Sequence, residues 1–175
     1  MLYLLFTLGA SRYALDAPQI AEILPLAMLK EVPAAPPWVA GLLPHRGRTV
    51  PVIDLNALAV GRPAQQLMST RLVLAHYPEP GPGSQLLGIL VEQATGTLRA
   101  APDEFTDPGL QVGGAPWLGP VKDDAQGMIQ RVRVADLLTP EVRALLFPEA
   151  QGGAAASQHA SQHTTQPAAA SERAA

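Results

Sequence analysis

The residues with the clearest capacity for specific recognition lie at positions 46 and 47. Gly47 directly follows Arg46, and a glycine in this setting is typical of a tight turn that needs a positive φ. Such a turn would hold the Arg46 guanidinium outward on a stiff hairpin, where it suits bidentate contact with a carboxylate or carbonyl group. The alternative interpretation is an ordinary surface arginine paired with Glu22 or Asp54, and the residues alone do not separate the two.

The sequence gives little indication of an enzyme active site. The chain contains no Gly-x-x-x-x-Gly-Lys-Ser/Thr phosphate loop, no Gly-x-Gly-x-x-Gly dinucleotide motif and no Gly-x-Ser-x-Gly nucleophile elbow. The paired acids at 103–104 and 123–124 lie in turn-rich sequence, where adjacent carboxylates are usually solvated. His159 and His163 could share one face of a helix, but nothing nearby supplies further metal ligands. We therefore expect no catalytic residue, no metal and no cofactor.

Composition narrows the class of protein further. Of the 175 residues, 47% are hydrophobic and 15% are charged, which is typical of a packed domain. Twelve Lys and Arg stand against 15 Asp and Glu, and the resulting net charge of −3 argues against a general nucleic-acid binder. The chain has no cysteine, which excludes disulfides and thiolate metal sites and is compatible with the cytoplasm. No apolar run reaches the roughly 18–20 residues that a membrane span needs.

Short apolar runs separated by glycine and proline predict a mainly β fold with few helices. Asp54 is expected to cap a single helical turn. A terminal helix is expected at 135–147, with Thr139 as a cap and Pro140 at its first position. The predicted strands are 2–8, 12–16, 48–53, 70–76, 85–92, 94–100 and 128–134, and a further short apolar segment spans 19–24.

The folded part is expected to be residues 1–148, divided into two small antiparallel barrels. Subdomain 1 would comprise residues 12–60 together with the N-terminal strand 2–8, and subdomain 2 would comprise residues 69–134. Residues 149–175 contain Ala, Gln, Ser and Thr but no large aliphatic side chain. They are therefore predicted to form a disordered, low-complexity tail.

The chain carries, in order, a set of segments that together resemble the CheW-type coupling proteins of bacterial chemosensory arrays. The resemblance covers residues 2 to about 147, and its most specific part is the central segment. The segments are Leu5-Phe6-Thr7-Leu8-Gly9 with Tyr13-Ala14-Leu15, Ile20-Ala21-Glu22-Ile23, Pro36-Pro37-Trp38-Val39-Ala40-Gly41, Arg46-Gly47 through Pro51-Val52-Ile53-Asp54-Leu55, and Leu87-Gly88-Ile89-Leu90-Val91-Glu92.

This resemblance implies a fold of two five-stranded SH3-like barrels and a non-enzymatic role in two-component signal transduction. CheW-type adaptors are cytoplasmic scaffolds that bridge the hairpin tip of a chemoreceptor to the regulatory domain of a CheA-type histidine kinase, in arrays associated with the membrane. Carried over residue by residue, the family's partner contacts fall on Ile20, Glu22, Gly41, Arg46, Gly47 and Gly88.

Each of these partner contacts would have its own chemistry. Ile20 would offer apolar surface, Gly41 would allow close backbone approach, and Arg46 would be a polar anchor. Structural alternatives stand beside these roles: Ile20 as core, Gly41 as the end of a helical turn, and Gly88 as relief of packing inside a strand.

The chain departs from the family pattern immediately before Arg46. Pro44-His45 stands where the family usually has Asn-Leu, and proline removes both a side-chain amide and a backbone donor. A coupling protein of a non-flagellar pathway, in surface sensing, pili or second-messenger control, therefore fits as well as one for flagellar chemotaxis. Two further alternatives are a peptide-binding barrel module outside such systems and a small enzyme with a site on loops 102–127.

The predicted tail leads to a first test. Deletion of residues 149–175 is expected to change neither the melting temperature nor the affinity for the kinase regulatory domain, because this segment cannot bury enough apolar area to join the core. Calorimetry and a binding titration on the full and shortened chains would measure both. A large drop in either quantity would contradict the assignment of residues 149–175 as a solvated extension.

Overall fold

The computed structural model describes residues 1–109 and 113–148, and the predicted tail at 149–175 lies outside the described residues. The described part contains nine strands, two α-helices and three short 3₁₀ turns. The strands are β1 (Leu2–Leu8), β2 (Ser11–Asp16), β3 (Ile20–Leu24), β4 (Val39–His45), β5 (Arg48–Asp54), β6 (Arg71–Tyr77), β7 (Gln85–Arg99), β8 (Leu118–Asp124) and β9 (Gly127–Val132). The helices are α1 (Leu55–Val60) and α2 (Pro140–Leu146). The predicted mainly β class is confirmed.

Two curled sheets share the long strand β7. In sheet I, the first half of β7 lies between β6, with which it pairs antiparallel, and β5, with which it pairs parallel. Strand β3 pairs with the outer side of β6, and β4 pairs with the outer side of β5. In sheet II, the second half of β7 pairs with β1, and the order continues through β2 and β9 to β8. Gln93, with φ +48°, marks the change between the two halves. The segments predicted at 85–92 and 94–100 are therefore one continuous strand.

Each sheet curls until an isolated bridge brings its two ends together. In sheet I, Lys30 exchanges two backbone hydrogen bonds with Leu42 of β4, at 2.9 and 2.8 Å. In sheet II, Thr106 makes the equivalent pair with Val121 of β8, with both bonds at 2.8 Å. These bridges satisfy backbone groups that would otherwise stand open at a sheet edge, which is where unwanted pairing with other chains begins.

The strands are interleaved between the sheets instead of being divided at a linker. Sheet I takes β3 to β6 and the start of β7, whereas sheet II takes the first two strands of the chain and the last two. The predicted subdomains are 12–60 with the N-terminal strand 2–8, and 69–134; this division places strand 2–8 in the first subdomain, whereas β1 pairs with β7. The physical reason is that β7 has 15 residues, enough to provide a pairing edge to both sheets, so the hairpin of β1 and β2 joins the second half of the chain.

One large hydrophobic cluster lies between the sheets and holds them together. It contains Phe6 from sheet II, Ile53 and Ile89 from sheet I, and Phe147 after α2, all of which are at most 7% exposed. Phe147 stacks on Tyr77 of β6 with ring centroids 5.3 Å apart. Burial of large side chains from both sheets in one cluster is the main favourable contribution to their association.

The two α-helices begin at the predicted caps. Asp54 accepts a hydrogen bond from the Ala57 amide at 3.0 Å and a second one from the Ala64 amide at 2.8 Å, so one carboxylate both starts α1 and anchors the chain that follows it. Thr139 caps α2, and Pro140 occupies its first turn. The terminal helix is shorter than the predicted 135–147, because a 3₁₀ turn and the Thr139 cap precede it.

Gly88 provides a test of the packing around β7. A Cβ at this position would lie 2.8 Å from Val52 Cγ2 and 3.1 Å from Leu72 Cδ1, and the β-branched valine cannot turn away easily. We expect Gly88→Ala to lower the free energy of unfolding by about 1–3 kcal/mol, the usual effect of overpacking a core. Urea denaturation would measure the loss.

Gly96 offers the matched control, because it lies on the same strand. A Cβ there would meet Leu5 Cβ at 3.6 Å, which is an ordinary van der Waals contact. Gly96→Ala should leave the urea midpoint unchanged or raise it slightly, since alanine loses less backbone entropy on folding. Equal losses in the two variants would show that the steric argument at Gly88 is wrong.

Candidate functional site

The hairpin of β4 and β5 ends in a two-residue turn formed by Arg46 and Gly47. His45 pairs with Arg48 across the hairpin, and φ is +48° at Arg46 and +76° at Gly47. Positive φ at both central positions is the signature of a type I′ turn, whose twist matches the twist of the flanking strands. The predicted positive φ at Gly47 is therefore confirmed. No other atom lies within 4 Å of a Cβ built at Gly47, so glycine is required for its backbone conformation and not for space.

Arg46 occupies a backbone conformation that suits glycine or asparagine better than arginine. The left-handed region costs an ordinary L-residue about 1–2 kcal/mol. The Arg46 side chain is 74% exposed, and an ion pair at such exposure contributes about 1 kcal/mol at most. The stability of the turn therefore gives no reason for an arginine at this position.

Glu22 of β3 joins the tip of this hairpin. Arg46 Nη2 lies 3.1 Å from Glu22 Oε1 and 3.0 Å from Oε2, while His45 Nε2 lies 3.2 Å from the same Oε2. The His45 side chain is 15% exposed and that of Glu22 is 31% exposed. The carboxylate thus lies between the half-buried imidazole, at contact distance, and the exposed guanidinium, which donates a hydrogen bond to it. We call Glu22, His45, Arg46 and Gly47 the charged corner.

Of the two carboxylates considered as partners for Arg46, the structure selects Glu22. Asp54 is buried, and its two oxygens are engaged by the backbone amides of Ala57 and Ala64. Arg46 is paired with an acid of its own chain and it also faces outward. Both interpretations of this residue therefore agree with the structure. The arginine is paired, yet most of its side chain remains accessible to a partner.

Gly41 allows the chain after β3, at Leu29 and Lys30, to lie against β4. It is buried within β4, with φ +142°, and a Cβ there would lie 2.6 Å from the carbonyl oxygen of Lys30 and 3.0 Å from Leu29 Cβ. The close backbone approach predicted for this glycine is therefore made to its own chain. Gly41 lies within β4 and ends no helical turn, because residues 39 and 40 already belong to that strand.

The other two predicted contact residues lie away from the tip. Ile20 is half-buried at the start of β3, opposite Ala75, and packs against the large cluster between the sheets. Gly88 is buried in β7, where Val52 and Leu72 close the space around it. Of the predicted set, the structure brings together Glu22, Arg46 and Gly47, and it places Gly41 and Gly88 in the packing that supports them.

An open groove with a mainly apolar lining adjoins the hairpin. Arg48 and Thr49 of β5 lie on its wall, so the groove begins where the charged corner ends. The far wall comes from the end of α2, where Leu145 is 48% exposed. Its other apolar lining residues include Leu42, Val50, Leu86, Leu146 and Phe147. A partner that contacts Arg46 could bury apolar surface in the same approach.

Of the acids considered for an enzyme site, one in each pair, Glu104 and Asp124, takes part in an ion pair. Glu104 lies 2.5 Å from Lys122 Nζ, and this hydrogen bond, followed by one from the Ala101 amide, lowers the Glu104 pKa. Asp124 lies 2.6 Å from Arg12 Nη1, and that hydrogen bond is the main reason why its pKa is lowered. Both carboxylates are therefore held in the charged form by neighbouring cations, which is a structural role.

His45 is the member of the charged corner that was not among the predicted contact residues. The sequence signal was present, because this histidine stands directly before Arg46 in the departure from the family pattern. Its contact with Glu22 could not be derived, since the two residues lie on strands that share no ladder and meet only through the curl of sheet I.

Comparisons with known proteins bear on the fold and the family of the chain. Among the described residues, no helix is long and apolar enough to span a membrane. No curated protein sequence matches the chain significantly. A solved structure, the scaffolding protein TtCheW from Thermoanaerobacter tengcongensis, shares the fold with a TM-score of 0.68 at 18% sequence identity. The match covers 79% of this chain and 87% of that one.

A family model describes the sequence itself over most of its length. The model of the CheW-like domain matches residues 2–141, which include every strand of both sheets and the charged corner. This match agrees with the predicted class of a scaffold protein that is not an enzyme. The chain belongs to the family of CheW-like domain proteins.

Proposed function

We propose that this protein couples the cytoplasmic hairpin tip of a chemoreceptor to the regulatory domain of a CheA-type histidine kinase, and that it works in the cytoplasm at membrane-associated receptor arrays. Membership of the CheW-like family supports a scaffold role in chemotaxis signalling. The protein acts by binding alone. Single contacts of modest affinity suffice for such a role, because assembly of many copies supplies avidity.

The charged corner carries this proposal. Arg46 stands on a rigid two-residue turn, exposed and in a backbone conformation that an arginine adopts at a cost. A residue that is unfavourable for local stability and open to solvent is best explained by contact with a partner. We assign Arg46 as the polar anchor, Glu22 as the group that orients it, and Gly47 as the residue that allows the turn.

The charge of the corner defines the chemistry of the surface that docks there. Arg46 lies in the turn and Arg48 follows it, and Glu22 balances one positive charge in the free protein. A carboxylate of the partner can take a bidentate contact from the Arg46 guanidinium. The adjoining groove then receives apolar side chains of the same partner, which contribute most of the affinity. The receptor tip is therefore expected to present an acidic side chain beside apolar ones.

Charge reversal at Arg46 tests the anchor. Arg46→Glu should weaken binding of a receptor-tip fragment at least about tenfold, because a charge-assisted hydrogen bond is lost and two carboxylates then face each other. The fold should remain intact, since the side chain is mostly exposed. Isothermal titration and circular dichroism would measure affinity and folding.

Arg99→Glu is the matched control for this charge reversal. Arg99 is exposed at the far end of β7, in sheet II, so the same change in net charge occurs away from the corner. This variant should bind the fragment as the parent does. A receptor-tip fragment that binds Arg46→Glu as tightly as the parent would remove Arg46 from its assigned role.

A second substitution separates stability from binding. Asn-Gly is the preferred pair in a type I′ turn, so Arg46→Asn should stabilise the protein by about 0.5–1 kcal/mol while it weakens binding of the fragment. Denaturant titration and the same binding assay measure the two effects. A loss of stability would show that the Arg46–Glu22 pair contributes more than the strain of the turn, and unchanged binding would show that the guanidinium is dispensable.

A further inference from the structure

Four exposed apolar side chains lie at the end of sheet I where β6 begins. In the antiparallel pair of β3 and β6, Leu24 lies opposite Leu72 at the last paired position, so the chain after β3 and the chain before β6 leave from the same end. Met28 on the first of these segments is 93% exposed, and Met68 on the second is 95% exposed. A leucine close to each methionine is exposed as well, by 37% on the first segment and by 43% on the second. We call this set the methionine surface: Leu26, Met28, Leu67 and Met68.

Buried polar groups fix the loop that carries Met68. The carboxylate of Glu92, a residue only 5% exposed, accepts a hydrogen bond from the Gln65 amide at 2.7 Å. The hydroxyl group of Thr70, which is 1% exposed, donates to the Gln65 carbonyl oxygen at 2.6 Å, and the Thr70 amide donates to the Leu67 carbonyl oxygen at 3.1 Å. The backbone that presents the two exposed side chains is therefore already ordered, which lowers the cost of covering them with a partner.

The two segments that carry the methionine surface are positively charged. Residues 25–30 and 61–71 contain Lys30, Arg62 and Arg71 and no Asp or Glu, in a chain whose net charge is −3. Arg71 donates hydrogen bonds to the carbonyl oxygens of Met68 and Thr70, which places its guanidinium beside the loop of the exposed methionine. Apolar side chains beside positive charge fit a partner face that is apolar at its centre and acidic at its rim.

Strand β6 separates the methionine surface from the groove beside the charged corner. The groove includes Gln85, which pairs with Tyr77 at the last residue of β6, whereas the loop of Met68 leads into Arg71 at its first residue. The 7 residues of this strand span roughly 20 Å. The two surfaces share no residue, and this spacing allows both to be occupied at once.

We propose that the methionine surface docks the regulatory domain of the CheA-type kinase, through a face of that domain with an apolar centre and an acidic rim. The inference rests on the proposed function, because it assigns a separate surface to the kinase while the charged corner binds the receptor tip. A protein is favoured over a membrane as the occupant. Residues 25–30 and 61–71 contain no Trp, Tyr or Phe, the side chains typical of membrane interfaces, whereas methionine adapts well to protein surfaces.

Substitution of both methionines tests this surface in the full chain. The double variant Met28→Gln, Met68→Gln should bind the CheA-type kinase at least about tenfold more weakly, because two polar amides would be buried against apolar groups. Its affinity for the receptor-tip fragment should be unchanged, and its fold should remain intact, since both side chains are almost fully exposed. Met128→Gln is the matched control, because Met128 is 56% exposed on β9 of sheet II, and it should bind the kinase as the parent does. Equal kinase affinity in the parent and in the double variant would overturn the proposal.

Oxidation by hydrogen peroxide reports contact at these side chains directly. Each thioether sulfur takes one oxygen atom from the peroxide, which is reduced to water, and mass spectrometry detects the sulfoxide. Bound kinase should slow the oxidation of Met28 and Met68 at least about fivefold and leave that of Met128 unchanged. Saturating receptor-tip fragment should not remove this protection. Loss of the protection would show that the two partners share one surface and would overturn the proposal.

Two other outcomes separate the remaining explanations. Vesicles of anionic phospholipid that protect Met28 and Met68 from oxidation, where the kinase does not, would assign the surface to a membrane and overturn the proposal. Failure of the proposed function gives a different result, in which the parent itself binds neither the kinase nor the receptor-tip fragment. Failure of the surface assignment alone leaves kinase binding intact in the parent and in the double variant.

Discussion

Pairing along β7 is the constraint on which the rest of the molecule depends. Its first half is bonded to β6 and β5, its second half to β1, and within the described part of the chain it is the strand common to both sheets. Ile89 and Val91, each 1% exposed, place the same strand in the cluster between the sheets. Sliding β7 by one residue would turn Ile89 and Val91 out of this cluster and would also shift the pairing of β7 with β1, so its register is fixed from two directions.

The rigidity of the charged corner follows from this strand. Val52 of β5 pairs with Gly88, and the hairpin that carries Arg46 extends from β5 without an intervening loop. Gly88 allows the close contact of β5 with β7, and Gly41 allows the close contact of β4 with the chain after β3. Both buried glycines therefore influence the charged corner indirectly, because they allow the close packing of the strands that carry it. This gives a physical role to two residues that lie outside the corner. A group anchored in this way loses little freedom on binding.

Local features of the sequence predicted local structure well. A glycine after an arginine predicted a turn with positive φ, and Asp54 and Thr139 predicted helix starts, because each signal is read from a few neighbouring residues. The continuity of β7 was not predictable, since Gln93 carries the change of direction without a glycine or proline to mark it. The contact between Glu22 and His45 was not predictable either, because it depends on the curl of a whole sheet. The resemblance to a family identified the adaptor class, but the contact of Gly41 with Leu29 and Lys30 depends on the folded path of the chain and could not be predicted.

Two ion pairs of the same protein show why the corner is suited to exchange. Asp16 receives both Nε and Nη2 of Arg131, at 3.1 and 2.5 Å, with side chains 12% and 22% exposed, and the guanidinium also lies over the rings of Tyr3 and Phe105. Such a pair cannot open without leaving a desolvated charge. Arg46 offers one nitrogen to Glu22 and keeps most of its side chain in solvent. An exposed pair of this kind contributes about 1 kcal/mol at most, so the Arg46 guanidinium can leave Glu22 at little cost. The Arg46–Glu22 pair is the weaker of the two, because the turn that carries Arg46 is exposed. It is therefore the pair that can open when another molecule binds.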